Sequence, residues 1–279
     1  MYQYFQRVPF ILLFFAFWTN SFTAFSLKPK RPYINDMDSI YPGIHWKEQL
    51  IPVNNNISLN VWHIVPIIKN NHNDHLIVIA GGDQGNLSYY ALHAAALALQ
   101  GFQVVLFDYR GYGKSSPYSF DDDLLYTDLF KDDLLTVMQW TSQHCKFKKR
   151  GILGFSMGSI IAQMAALEVK TDFMIYDGFM LNPIATSKRI QQTTGVEMQV
   201  PQSAYDFERK MKKIKVPTLI FASLSDIVST KEDAMNYCKQ RKNRKYELYQ
   251  GDHLGAFKTL SNKSFGDELS TKVSAFINK

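Results

Sequence analysis

The sequence predicts an α/β fold: a mostly parallel sheet with helices on both faces, entered through an N-terminal antiparallel hairpin. Three observations predict it. Short, largely apolar runs recur at Leu76–Ala80, Phe102–Phe107, Gly151–Gly154, Phe173–Asp177 and Val216–Ala222. They are too short for helices and lack the alternation of a half-solvated strand. Longer stretches with helical spacing lie between them, and glycines and polar residues gather just after each run. An open parallel sheet keeps its sites in those loops, at the carboxyl ends of its strands.

Composition fits one large domain. The chain has 279 residues, 46% hydrophobic and 20% charged, enough apolar surface for a full core. The net charge of +6 is a mild excess. Basic residues cluster at Arg209–Lys215 and Lys239–Lys245, without the aromatic interleaving of a nucleic-acid groove. A solvated basic face is the expectation, with no nucleic-acid partner.

The N-terminus reads as an address. Arg7 precedes eleven apolar residues, Val8–Trp18, and then come polar Thr19-Asn20-Ser21 and small residues at Ala24 and Ser26. This is the layout of an export signal over residues 1–26, cut before Leu27, for a periplasmic or secreted protein whose mature domain is 27–279. The apolar core is well short of the ~20 residues of a membrane span. The alternative is an uncleaved segment, residues 8–25, that keeps the protein on a membrane. Cys145 and Cys238 are the only cysteines, too few for a disulfide framework, and two free buried thiols are expected. No histidine or cysteine cluster has metal-ligand spacing, so no metal and no other cofactor is called for. Oligomeric state is not readable.

In chain order, residues 27–45 form an extended lead-in. Lys47–Val53 and Ile57–Pro66 flank the turn-forming triplet Asn54-Asn55-Asn56 and predict the edge hairpin. The strand Leu76–Ala80 runs into Gly81-Gly82-Asp83-Gln84-Gly85-Asn86 and a helix through Ala91–Leu99. Phe102–Phe107 ends at Asp108-Tyr109-Arg110-Gly111-Tyr112-Gly113, and a helix follows from about Leu124 to Trp140. Residues 183–216 are polar and mixed, helical near Asp206–Ile214, and leave room for a short cap. A strand at Val216–Ala222, a helix at Lys231–Lys239, a strand at Tyr246–Tyr249 and a terminal helix at about Phe265–Ile277 complete the domain.

The chemistry gathers around Gly154-Phe155-Ser156-Met157-Gly158, a G-x-S-x-G pentapeptide between an apolar run and a helical one. A strand that turns sharply into a helix presents the serine at its apex, and glycines two residues away let the two elements pass closely. A serine hydroxyl becomes nucleophilic when a base takes its proton, and the base must be held in one tautomer. His253 lies just past the last predicted strand and Asp226 just past the one before it. The order Ser156, Asp226, His253 is that of the G-x-S-x-G hydrolases. The other six histidines fall away from this end and are expected to be structural or solvated. Asp177, at the end of the Phe173–Asp177 strand, is the alternative acid, with Asp226 then a helix cap.

With these motifs the chain resembles the α/β-hydrolase superfamily, in particular small serine esterases and serine-aminopeptidase-like hydrolases. The resemblance rests on the Gly-Phe-Ser-Met-Gly elbow, Phe107-Asp108-Tyr109-Arg110-Gly111-Tyr112-Gly113-Lys114-Ser115, Gly82…Gly85-Asn86, and Lys215-Val216-Pro217-Thr218-Leu219. It covers about residues 46–279. It implies Ser156 as nucleophile, His253 as general base and then acid, Asp226 as the orienting carboxylate, and the amides of Gly82 and Met157 as the oxyanion hole. It implies a carboxylesterase-like hydrolase of esters, thioesters or small amides, with a small-molecule acyl substrate. The competing class is a non-catalytic binding protein on the same fold. Ala80-Gly81 stands where many relatives have His-Gly, which bears on the loop's geometry. Asp83 is expected to face outward, because a carboxylate aimed inward would oppose a developing oxyanion.

Overall fold

The computed structural model describes residues 27–278 except 67, 69 and 122, so the export signal predicted at 1–26 lies outside the described residues. Among the described residues eight strands form one sheet: β1 (His45–Pro52), β2 (Ser58–Val65), β3 (His75–Ala80), β4 (Gln103–Phe107), β5 (Lys149–Phe155), β6 (Phe173–Asp177), β7 (Thr218–Ser223) and β8 (Arg244–Tyr249). Their spatial order is 1-2-4-3-5-6-7-8, and only β2 runs against its neighbours. The expected edge hairpin is β1–β2, in register from His45 opposite Val65 to Pro52 opposite Ser58.

Every residue of β3, β6 and β7 is buried, as a sheet covered on both faces requires. The long helices are α1 (Ala91–Leu99), α2 (Thr127–His144), α3 (Met157–Ala165), α4 (Pro183–Thr194), α5 (Lys231–Lys239) and α6 (Asp267–Ile277). Apolar residues of α1 and α6 join one core layer with Ile77, Val104 and Phe221. Those of α2, α3 and α5 join the opposite layer with Val78, Val105 and Ile220. Among the described residues no helix is long and apolar enough to cross a membrane. Cys145 and Cys238 are both free thiols.

Two regions differ from the expectation in detail. The lead-in is extended only in part, with a short helix at Met37–Ile40, and its start is paired. Lys28–Pro29 pairs in parallel with Gln84–Gly85, Lys28 N–H donates to the Asp83 carbonyl at 2.9 Å, and Asn86 Nδ2 donates to the carbonyls of Lys30 and Pro32 at 2.9 Å. The polar stretch 183–216 carries α4 as well as the short helix Phe207–Met211. Asn182 caps α4 by accepting from the amides of Ile184 and Ala185, Pro183 sits in its first turn, and Gly195 ends it at φ +75°. Those signals are present in the sequence as Asn-Pro and Gly, but the face of α4 carries few apolar residues, so periodicity alone did not show it.

Candidate active site

Ser156 caps α3 with φ 50° and ψ −116°, a left-handed conformation that a serine adopts at a cost. Its own N–H donates to the Asp177 carbonyl at 3.1 Å, and its carbonyl accepts from Ser159 N–H at 2.8 Å, which fixes the turn. The flanking glycines act through contact distance. A Cβ on Gly154 would stand 2.7 Å from the Gly158 carbonyl oxygen, and one on Gly158 would stand 2.1 Å from that of Ala80. Bare backbone is therefore required between β5, α3 and the loop after β3.

The three residues that sequence order singled out meet here. His253 Nε2 lies 3.0 Å from Ser156 Oγ, and His253 Nδ1 lies 2.6 Å from Asp226 Oδ2. The Asp226 side chain is buried, and its Oδ1 accepts the amides of Val228 at 2.8 Å and Ser229 at 3.0 Å. Its Oδ2 also accepts from the Ser229 hydroxyl, which lies 3.2 Å from His253 Nδ1. Thr230, not Asp226, caps α5. Burial raises the Asp226 carboxyl, but the His253 and Ser229 hydrogen bonds outweigh it and leave the pKa lowered. Burial likewise depresses the His253 imidazole, and the Asp226 hydrogen bond and charge reverse this, leaving its pKa raised.

Asp177, the alternative acid, points elsewhere. Its Oδ1 accepts from the Tyr249 hydroxyl at 2.9 Å and its Oδ2 from the Ala256 amide at 3.1 Å. Tyr249 also accepts from Gly255 N–H at 3.1 Å, so Asp177 and Tyr249 together anchor the loop that carries His253. In that loop Leu254 has φ 59°. Burial pushes the Asp177 carboxyl up to about 7.

The loop after β3 departs from expectation in two ways. Gly82 N–H is engaged, donating to the Tyr90 hydroxyl at 2.7 Å. The Tyr90 ring also lies against Gly81, where an added Cβ would stand 2.8 Å from it. Asp83 does not face outward. It is buried beside Ser156 on the wall of a narrow slot, and Lys28 N–H and the Tyr112 hydroxyl both donate to its carbonyl. The rest of that wall is mostly apolar, with Leu125, Met157, Ile160, Met180, Ile190 and Met198.

Of the other histidines, His93 is the one near the site. Its ring packs on Phe257 at 4.3 Å and Phe155 at 5.1 Å, and burial brings its pKa down to about 3, so it stays neutral. Tyr90, Ser229 and Tyr249 are the site residues that sequence reasoning missed. Only Ser229 carried a signal, its place three residues after Asp226. Asp108 accepts the amides of Leu87 at 2.7 Å and Lys114 at 3.0 Å, and Arg110 pairs with buried Asp133 through Nε at 2.9 Å. These tie loops to the sheet and stand outside the serine cluster. Among the described residues no group of three or more His, Cys, Asp or Glu side chains could hold a metal ion.

The model of the α/β hydrolase fold matches residues 74–173, from β3 through the serine turn to the start of β6. A Pyrococcus furiosus esterase superposes with a TM-score of 0.70 at 20% identity, covering 91% of this chain and 97% of that one. The chain has the α/β-hydrolase fold. An esterase from Exiguobacterium antarcticum is similar at TM-score 0.60 and 16% identity, over 84% of this chain and all of that one. In sequence, the chain is 26% identical over 128 residues to an acyl transferase of Aliivibrio fischeri, 46% of this chain and 41% of that protein. It is 34% identical over 96 residues to lysophospholipase L2 of Escherichia coli, 33% of this chain and 28% of that protein. The chain thus spans less than half the length of these curated relatives.

Proposed function

We propose that this protein is a serine hydrolase that cleaves esters, thioesters or small amides through an acyl-enzyme on Ser156, with esters favoured. The observation that carries the reading is the unbroken chain from Ser156 Oγ to His253 Nε2 at 3.0 Å and from His253 Nδ1 to Asp226 Oδ2 at 2.6 Å. Ser156 Oγ attacks the carbonyl carbon while its proton passes to His253 Nε2. Asp226 holds Nδ1 protonated and stabilises the imidazolium. The imidazolium then protonates the leaving oxygen, sulfur or nitrogen, and water repeats the sequence to release the acid.

The oxyanion falls to the Met157 amide, at the positive end of α3, and to the Gly82 amide once the oxyanion displaces the Tyr90 hydroxyl. The slot beside Ser156 is narrow and mostly apolar, a lining compatible with an acyl chain rather than a charged one. Relatives named acyl transferase and lysophospholipase, and neighbours named esterase, fit acyl-group chemistry of this kind.

The test is labelling of the purified protein by a fluorophosphonate, with hydrolysis of p-nitrophenyl esters of increasing chain length. Labelling at Ser156 that Ser156→Ala abolishes, together with ester turnover, is the expected result. A protein that neither labels nor turns over any ester is a binding module on a hydrolase fold.

A further inference from the structure

The slot beside Ser156 contains one chemical anomaly. Asp83 is 8% exposed, and its Oδ2 is the one buried side-chain polar atom on the wall without a hydrogen-bond partner among the described residues. The other polar side chains nearby are engaged. Ser187 Oγ donates to the Met198 carbonyl at 2.7 Å, and Thr186 Oγ1 accepts from Arg189 at 3.1 Å. A buried polar atom without a partner costs free energy unless a ligand supplies one. Asp83 directly follows Gly82 and lines the same slot as Ser156.

We propose that Asp83 forms a subsite for a hydroxyl group on the second or third carbon of the acyl chain, so that the preferred substrate is an ester of a hydroxylated fatty acid. This rests on the serine-hydrolase reading above. The slot is otherwise aliphatic and methionine-rich, which suits a hydrocarbon chain carrying a single polar group close to its carbonyl. A hydroxyl matches one carboxyl because it brings one donor and can accept in return. An ammonium in the same place would bring three donors to one unpartnered acceptor, leaving the rest unpaired among apolar walls. Burial raises the Asp83 pKa above the usual carboxylate value, against the lowering pull of its hydrogen bond with Gln84 and of nearby His253. The loop is held at this residue by Lys28 N–H and the Tyr112 hydroxyl, which both donate to the Asp83 carbonyl.

The experiment compares kcat/KM for the p-nitrophenyl esters of hexanoate, 2-hydroxyhexanoate, 3-hydroxyhexanoate and 3-aminohexanoate. One hydroxy ester should exceed hexanoate by about tenfold or more, because a site built for a hydroxyl discriminates against the analogue lacking it. Asp83→Leu should bring that ratio down to about one, and Asp83→Asn, which can still bond a hydroxyl, should keep most of it. The ratio in the unaltered protein decides the question even if a variant fails to fold. Equal rates on hexanoate and both hydroxy esters would overturn the subsite while leaving the Ser156 reading in place. Preference for the amino ester would overturn it in favour of a cation site. No turnover of any ester, with no fluorophosphonate label on Ser156, would overturn both readings.

Discussion

Arg189, on α4, reaches across to Asp233 on α5, with its guanidinium 2.6 Å from the carboxylate, while its Nε donates to the Val228 carbonyl at 3.0 Å. Val228 is in the turn whose amides hold Asp226, so one side chain joins the helix over the acyl slot to the acid's support. Arg189→Ala should loosen both. The expected result is a three- to tenfold rise in KM for longer acyl esters and a smaller fall in kcat, in keeping with about 1 kcal/mol, the net worth of an ordinary hydrogen bond. Unchanged kinetics across the chain-length series would show that α4 is held by its other contacts.

The geometry around His253 separates two carboxylates that sequence position alone could not. Asp226→Asn should lower kcat by about 10³–10⁴-fold with the fold intact, because the amide no longer holds the Nδ1–H tautomer. The Asp226 carboxylate also raises the His253 pKa. Activity needs neutral Nε2, so the wild-type rate should climb with pH through that raised value, and the residual activity of Asp226→Asn should climb at lower pH. A pH–kcat/KM profile for each protein checks the sign.

Asp177→Asn should act on stability first. Its carboxyl titrates at about 7 when folded and near 4 when unfolded, so the folded protein holds an extra proton between these values. The contribution of Asp177 to stability is therefore fully present below about pH 4 and lost as pH rises toward 7. Thermal melts across this range should fall less steeply for Asp177→Asn than for the wild type. Matching slopes would mean that Asp177 is ionised throughout.

The frame of this molecule was legible because its signals are local. The apolar runs mark β3 to β7, and Gly154, Ser156 and Gly158 announce a turn that only bare backbone can close, as the 2.1 Å approach of a Gly158 Cβ to the Ala80 carbonyl requires. Ser156, Asp226 and His253 can be grouped from the sequence because each follows a strand, and topology carries strand ends to one edge. The direction of Asp83 was not legible. Lys28 and Tyr112 both donate to its carbonyl, and these contacts join residues 55 and 29 positions away from it in sequence. The role of Tyr90 is illegible for the same reason: nothing local shows that a helical tyrosine will meet the Gly82 amide.

Glycine contacts give a paired test. Gly158→Ala places a methyl against the backbone carbonyls of Ala80 and Gly81, at 2.1 and 2.6 Å, so the loop carrying Gly82 must move. Losing one oxyanion donor is worth about 10²–10³ in rate, and kcat should fall by about that much at similar KM. Gly195→Ala is the control. Its φ of +75° makes alanine strained, but nothing lies within 4 Å, so it should cost about 1 kcal/mol of stability and leave kcat unchanged.

Tyr90 supplies the last prediction, and the direction of the effect is what it tests. In the resting site the Tyr90 hydroxyl accepts the Gly82 N–H at 2.7 Å, the donor assigned to the oxyanion. If the oxyanion must displace that hydroxyl, the resting hydrogen bond is a ground-state cost on the reaction. Breaking such a bond costs about 0.5–1.5 kcal/mol net, which corresponds to roughly two- to tenfold in rate. Tyr90→Phe removes the competitor and keeps the ring on Phe155, 4.8 Å away. It should therefore raise kcat/KM by that factor, with a small loss of thermal stability from the freed amide. A fall of a hundredfold or more, with the fold intact, would mean that the Tyr90 hydroxyl itself donates to the oxyanion and that Gly82 acts only by polarising it.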